Sequence, residues 1–157
     1  MSTPSQPPAP PKGDAPYPTI DQKLCFALYS CSLAMLQSYK PLLAAIGLTY
    51  PQYLVMLVLW ETDGISIKRL AERLGQDPGS VTPLVKRLEE AGFVIRQRDT
   101  QDERNLSVQL TQKGRALQAK AERVSTDIAL ACHLTASGAD DLRSRLTELT
   151  TTLRLLT

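Results

Sequence analysis

The most reactive side chains in this sequence are a cysteine and the tyrosines that follow it. Cys25 lies in an apolar segment, with Tyr29 four residues and Tyr39 fourteen residues further on. Because an α-helix turns by about 100° per residue, a helix would place both phenols within roughly 40° of Cys25, on one stripe. A phenol donating to sulfur favours the thiolate, as does a nearby helix N-terminus, whereas burial opposes it. The pattern fits a reactive thiol, or the small buried hydrophobe that a free cysteine more often is.

The two other cysteines differ in what they could do. In a helix, Cys31 would have its Cα about 9 Å from that of Cys25 and its side chain about 120° away. A disulfide needs Cα atoms within about 7 Å, so this pairing would require the helix to unwind, and we expect Cys31 to be structural. Cys132 lies beside His133, the only histidine. No closely spaced pair of ligands occurs elsewhere, so we predict no metal site.

Two helices should hold the thiol region in place. Apolar residues recur at helical spacing from Asp21 to about Lys40, and Pro41 predicts a break or a kink. A second helix should start near Pro51 and end by Gly64. It is apolar nearly all round, which predicts burial in the core.

The middle of the chain predicts two short helices followed by a hairpin. Ser66 can cap a helix over 67–74 that Gly75 ends. Asp77-Pro78 can start the next helix, which we expect to continue to Gly92 with a kink at Pro83. The alternative is a shorter helix capped by Thr82. Alternating residues at 93–98 and 106–110 predict two strands joined by a charged turn.

This order of elements predicts a mainly α fold with a small β-hairpin wing, that is, a winged helix-turn-helix. Thr111 should cap a long helix reaching about Ala131, and Ser137 should begin the last helix. We expect one domain over 19–157, with the winged helix-turn-helix at about 48–111. Residues 1–18 contain seven of the eleven prolines, which predicts a disordered tail.

A helix-turn-helix presents the start of its second helix to DNA bases in the major groove. The residues expected to face DNA there are Gly79, Ser80, Thr82, Lys86 and Arg87. Arginines of the hairpin suit phosphate or minor-groove contacts, namely Arg96, Arg98 and Arg104. The alternative for the basic residues is a solvated helix face, and winged helices also bind proteins.

Composition restricts the remaining choices. The net charge is only +2, so the overall charge does not indicate nucleic-acid binding. That prediction depends on the helix-turn-helix motif. No apolar run is long enough for a membrane span, and no secretory signal is recognisable. Three scattered cysteines do not suit a secreted disulfide framework, so we expect a cytoplasmic protein.

Several motifs in the sequence resemble those of a known protein family. The motif Asp102-Glu103-Arg104 before Val108-Gln109-Leu110-Thr111 and Gly114 resembles the wing of the MarR transcriptional regulators, and this adds Asp102 to the expected DNA contacts. One branch, the organic hydroperoxide resistance regulators, is matched by Cys25-Phe26 with Tyr29, Tyr39-Lys40-Pro41-Leu42-Leu43, Thr49-Tyr50-Pro51-Gln52-Tyr53-Leu54 and Leu59-Trp60-Glu61. The resemblance implies a homodimeric repressor of pseudo-palindromic operator DNA, with dimerisation helices at 19–47 and 112–157. It implies no cofactor and no enzymatic activity.

The same resemblance assigns roles to the thiols. It implies that Cys25 reacts with organic hydroperoxide, that Tyr29, Tyr39 and Tyr50 donate hydrogen bonds to it, and that Cys132 of the opposite subunit resolves it as a disulfide. Oxidation should then release the DNA. Two alternatives remain: a MarR-type repressor controlled by a small-molecule ligand, and a thiol peroxidase with Cys25 as its nucleophile.

The sequence departs from the family pattern at the start of the recognition helix. Family members usually have Leu-Tyr-x-Asp-Ser-Gly-Thr, where this chain has Leu74-Gly75-Gln76-Asp77-Pro78-Gly79-Ser80. Pro78 lacks both a hydroxyl and a backbone donor, so a phosphate contact at this position is not expected. Gly75-Gln76 removes bulk that could pack against the sensing region.

Overall fold

A computed structural model describes residues 17–98 and 106–156. A 3-10 turn at Ile20–Gln22 precedes the regular elements. The helices and strands are α1 (Leu24–Ala44), α2 (Tyr50–Glu61), β1 (Ile65–Ser66), α3 (Ile67–Leu74), α4 (Pro78–Glu90), β2 (Val94–Arg98), β3 (Leu106–Leu110), α5 (Gln112–Ala131) and α6 (Ala136–Arg154). The predicted mainly α fold with a small β wing is confirmed. Nearly all of the predicted tail at 1–18 lies outside the described residues.

The chain divides into two compact units within α1. The first ends at Ala34 and contains the 3-10 turn and the beginning of α1, and the second begins at Met35. In the first unit Cys25 is the second residue of α1, close to the helix N-terminus as predicted. Its side chain is exposed in the isolated chain, so the expected burial among apolar neighbours is not observed there.

Helix α1 runs through Pro41 to Ala44, so of the break or kink predicted at this proline, the break does not occur. A proline inside a helix removes one backbone hydrogen bond, and packing must offset the loss. Leu43, two residues further on, is completely buried in the core. Burial of Leu43 explains why the helix continues where local preference predicts an end.

The winged helix-turn-helix follows the predicted order, and α3 begins and ends at the expected residues. The Ser66 hydroxyl accepts a hydrogen bond from the Arg69 backbone N–H, and Gly75 closes α3 with a left-handed φ of 64°. Asp77 caps α4, which continues through Pro83 to Glu90, so the longer of the two predicted helices is observed. The buried residues of α2 confirm that it lies in the core, and they are Tyr53, Val55, Met56, Val58 and Leu59.

Three antiparallel strands form the sheet, in the order β1-β3-β2. The predicted hairpin is confirmed, with Val94 opposite Leu110 and Arg98 opposite Leu106. Strand β1 was not predicted because its two residues, Ile65 and Ser66, are too few to show alternation. Ile65 pairs with Val108, which makes β3 the central strand.

Two helices, α5 and α6, follow strand β3 in the chain. Thr111 caps α5 as predicted, and α6 starts at Ala136 after its Thr135 cap, one residue before the predicted Ser137. No residue of α6 is buried in the isolated chain. Its exposed leucines include Leu142, Leu146 and Leu153. None of the described helices is both long and apolar enough to span a membrane.

Candidate nucleic-acid interface and thiol sites

The five predicted DNA-facing residues of α4 lie on its exposed side. Gly79, Ser80, Thr82, Lys86 and Arg87 are all exposed, whereas Val81, Val85 and Leu88 on the opposite side are fully buried. One face of α4 is therefore fixed in the core, and the face carrying two cations and two hydroxyls is presented to solvent.

Local hydrogen bonds determine what the two hydroxyls can offer. Ser80 Oγ donates to Asp77 Oδ2 at 2.6 Å, and Thr82 Oγ1 donates to the Pro78 carbonyl at 2.8 Å. A hydroxyl has a single proton to donate and phosphate oxygens only accept, so neither hydroxyl can donate to phosphate while these bonds persist. Both can still accept from the amino group of a base.

Asp77 organises the start of α4. Its Oδ1 accepts from the Ser80 backbone N–H at 3.0 Å, and its Oδ2 accepts from the Ser80 hydroxyl. These hydrogen bonds, the side-chain one foremost, lower the pKa of Asp77 below its ordinary value of 3.8. The carboxylate therefore stays ionised at the positive end of the helix dipole.

The predicted contacts of the wing divide into three cases. Arg98 is exposed at the end of β2. Arg96 is half-buried, and its guanidinium lies 2.7 Å from Glu89 of α4. Glu89 also accepts from the Arg96 backbone N–H at 2.9 Å, and the Arg96 hydrogen bonds lower the pKa of Glu89. The remaining predicted contacts, Asp102 and Arg104, lie outside the described residues.

Tyr39 and Tyr50, two of the tyrosines assigned to the thiol, lie together in the second unit. Their ring centroids are 5.0 Å apart, and Tyr53 lies 5.7 Å from Tyr39 and 6.1 Å from Tyr50. Burial and the neighbouring Tyr53 raise the pKa of Tyr50. Burial, followed by Tyr53, Tyr50 and Cys132, raises the pKa of Tyr39 to about 12, so Tyr39 remains a hydrogen-bond donor at neutral pH.

Cys132 lies near this tyrosine cluster. It is the C-cap of α5, and together with Tyr39 it lines a groove of about 1000 Å³. The groove is otherwise mainly apolar, with Met35, Leu130, Leu142 and Leu146 among its lining residues. The next residue, His133, has a left-handed φ of 51°, which ends the helix sharply after the thiol.

The angles that place Cys25, Tyr29 and Tyr39 on one stripe ignore the distance between them along the helix axis. Fourteen residues of an ideal α-helix rise by about 21 Å, so a shared stripe does not by itself bring Cys25 and Tyr39 within hydrogen-bonding distance. Tyr29 is one turn from Cys25, and its side chain is 61% exposed. Cys31 is exposed as well in the isolated chain.

Sequence comparison identifies the family of this chain. The MarR family model matches residues 48–106. The organic hydroperoxide resistance transcriptional regulator of Bacillus subtilis (strain 168) is 38% identical over 137 residues, covering 87% of this chain and 91% of that protein. The chain belongs to the MarR family, in the branch of the organic hydroperoxide resistance regulators.

Other proteins resemble this chain over part of their length or in structure. TtmR of Methylorubrum extorquens (strain PA1) is 52% identical over 104 residues, which are 66% of this chain and 53% of TtmR, so the chain spans about half of that relative. Reduced AbfR bound to DNA superposes with a TM-score of 0.73 at 33% identity, covering 85% of this chain and 91% of AbfR. Disulfide-formed AbfR superposes with a TM-score of 0.61 at 34% identity, covering 85% and 88%.

Membership of the MarR family makes this chain a DNA-binding transcriptional regulator. Sequence reasoning identified α4 and the thiols, and it missed three residues that organise them: Asp77 as a cap, Glu89 as the partner of Arg96, and Tyr53. The Asp-Pro pair at the start of α4 was a usable signal for the cap. No local pattern announces the other two, because their partners are distant in sequence or belong to a different element.

Proposed function

We propose that this chain is a homodimeric repressor that releases operator DNA when organic hydroperoxide oxidises Cys25. The observation that carries the proposal is the position of Cys132 on the same groove as Tyr39, 93 residues earlier in the sequence. The family resemblance assigns both to the chemistry of Cys25. Because the resemblance implies that Cys25 is resolved by the opposite subunit, the site would combine Cys25 of one subunit with the tyrosine cluster and Cys132 of the other.

The chemistry of this site follows from the thiols alone. The Cys25 thiolate attacks one peroxide oxygen, the O–O bond breaks, and the alcohol leaves with a proton. The product is a sulfenic acid at Cys25. The sulfur of Cys132 in the partner subunit then attacks the sulfur of Cys25, and water leaves. Two thiols are oxidised by two electrons in total, and one hydroperoxide is reduced to an alcohol.

The DNA-binding part of the proposal rests on α4 and the wing. Lys86 and Arg87 would supply charge, and the small residues Gly79 and Ser80 would allow close approach to base edges in the major groove. Arg98, with Asp102 and Arg104 beyond the described residues, would contact the flanking DNA. Arg96 is paired with Glu89, so we propose that it holds the wing against α4 instead of binding phosphate. Two subunits related by a two-fold axis would match a pseudo-palindromic operator.

AbfR supports this proposal, since its solved forms include a reduced form on DNA and a disulfide form. The groove in the present chain also supports a second candidate, a MarR-type repressor controlled by an apolar small molecule. A variant with all three cysteines replaced by serine would distinguish the two. If an aromatic ligand still shifts the DNA affinity of that variant, the ligand-controlled function is favoured.

The disulfide step is tested by non-reducing electrophoresis after treatment with cumene hydroperoxide. A crosslinked dimer should form in the wild type and in the matched control Cys31→Ser. It should be absent in Cys25→Ser and in Cys132→Ser. A crosslink that persists in Cys132→Ser would refute the resolving role of that residue.

A further inference from the structure

The first turn of α5 is attached to the DNA-binding part of the chain by side chains from several elements. Trp60 Nε1 of α2 donates to the Gly114 carbonyl at 3.0 Å. Lys113 Nζ donates to the Ala91 carbonyl at the end of α4 at 2.7 Å. The Thr111 hydroxyl lies 2.6 Å from the Gly92 carbonyl just before β2, and it accepts from the Gly114 N–H at 3.0 Å. This end of α5 is therefore held in a defined orientation.

Asp63, in the loop between α2 and β1, connects three parts of this attachment. Its Oδ1 accepts from the Gly64 and Leu110 backbone N–H groups, each at 2.8 Å. Its Oδ2 lies 2.5 Å from Arg115 Nη2, in the first turn of α5. One carboxylate thus links the end of the central strand β3 to α5. We refer to Asp63, Leu110 and Arg115 as the α5 joint.

Helix α5 connects this joint to the thiol region. It has 20 residues, so it extends over about 30 Å. The α5 joint lies at one end, and Cys132 caps the other end. A helix of this length moves largely as a rigid body, so a displacement at Cys132 has to appear as a change of orientation at the joint.

We propose that Asp63 is a positioning residue that passes movement of α5 to β3 and the wing when Cys132 is oxidised. This inference rests on the proposed function. Asp63 is suited to the role because the same carboxylate contacts the helix and the strand, so a tilt of α5 that keeps the ion pair also displaces Leu110. In the wild type, formation of the disulfide turns α5, and the wing moves with it.

Exposure of the ion pair separates this role from a purely structural one. The side chains of Arg115 and Asp63 are 61% and 27% exposed. An ion pair so open to solvent contributes little to stability, but it still restricts the angle between the two elements that it joins. Loosening it should therefore leave the fold and the oxidation chemistry in place and reduce the effect of oxidation on DNA binding.

The test measures crosslinking and DNA affinity on the same samples of the full chain. The probe is a DNA duplex selected from a random-sequence library by the reduced wild-type protein. Asp63→Asn and Arg115→Gln both remove the ion pair, and Arg115→Gln leaves the Leu110 N–H with its acceptor. Asp127→Asn removes an exposed carboxylate from the same helix and is the matched control. For each protein, the ratio of the dissociation constants after and before cumene hydroperoxide is determined.

Asp63→Asn and Arg115→Gln should crosslink to the wild-type extent, while their ratio of dissociation constants falls at least threefold below that of the wild type. Asp127→Asn should retain the wild-type ratio. An unchanged ratio in the two joint variants, or an equal fall in Asp127→Asn, would overturn the inference. A wild type that fails to crosslink would overturn the proposed function, and with it this coupling, through a readout that does not involve Asp63.

Discussion

Gly114, in the first turn of α5, has no room for a side chain. A Cβ at this position would collide with the backbone carbonyl oxygen of Phe93 and press on Leu110. The obstacle is backbone, which cannot rotate away as the end of a long side chain could. Gly114 thus permits the close approach of α5 to the segment that leads into β2.

The change Gly114→Ala should lower the free energy of unfolding by about 2 kcal/mol. Overpacking against backbone costs about 3 kcal/mol, and the better helix propensity of alanine returns about 1 kcal/mol. Urea unfolding at one fixed protein concentration measures the difference. The control is Ala116→Ser, exposed on the same helix and expected to change stability by about 0.5 kcal/mol or less. Wild-type stability in Gly114→Ala would show that the two segments separate easily.

Single residues differ in how far sequence predicts their roles. The cap residues Ser66 and Thr111 were predictable because a cap and its helix are adjacent in the chain. Asp63 was not, because its partners Leu110 and Arg115 are 47 and 52 residues away. Helical spacing placed Cys25 and Tyr39 on one stripe, but the angle omits the rise along the axis, which decides whether two groups meet.

At the scale of elements, the N-terminus of α4 depends on Asp77. This carboxylate accepts two hydrogen bonds from Ser80, and it is the only side-chain cap of the helix that presents the proposed DNA contacts. Pro78 starts the helix without a backbone donor of its own. The hydrogen bonds that stabilise the start of α4 therefore come from Asp77 and not from Pro78.

The melting temperature of Asp77→Ala should be lower than that of the wild type at neutral pH. The folded pKa of Asp77 lies below 3.8, so the stability that it contributes is present above pH 3.8 and is lost as the pH falls through the folded pKa. The gap between the two melting temperatures should close over that acidic range. Asp77→Asn, which keeps an acceptor but has no charge to titrate, is the control. A gap between wild type and Asp77→Ala that is independent of pH would contradict this account of the cap.

Elements were predictable where their signals are local. Turn residues, caps and alternation located the winged helix-turn-helix and its hairpin to within a few residues. Strand β1 was not predicted because its two residues are too few to show an alternating pattern. The continuation of α1 past Pro41 depends on burial of Leu43, which is a tertiary effect. In α1, packing overrides the local preference of proline to end a helix.

At the scale of the whole molecule, the isolated chain leaves apolar surface uncovered. No residue of α6 is buried, and Leu142, Leu146 and Leu153 are between 38% and 51% exposed. The groove beside Cys132 is lined by the same helix. Burial of such a surface by a second copy is what the proposed dimer would supply. Sequence alone indicated the dimer only through family resemblance, because the leucine spacing of α6 fits a core helix equally well.

A titration of DNA-bound protein with hydroperoxide tests the central claim most directly. Cumene hydroperoxide is added stepwise to the reduced protein on a fluorescent duplex selected from a random library, and anisotropy follows release. The wild type should release the DNA after about one equivalent per subunit, as expected of a sensor that reacts once per site. Cys25→Ser should remain bound at the same and at tenfold higher oxidant. Release of DNA by Cys25→Ser over the same range as the wild type would contradict the account.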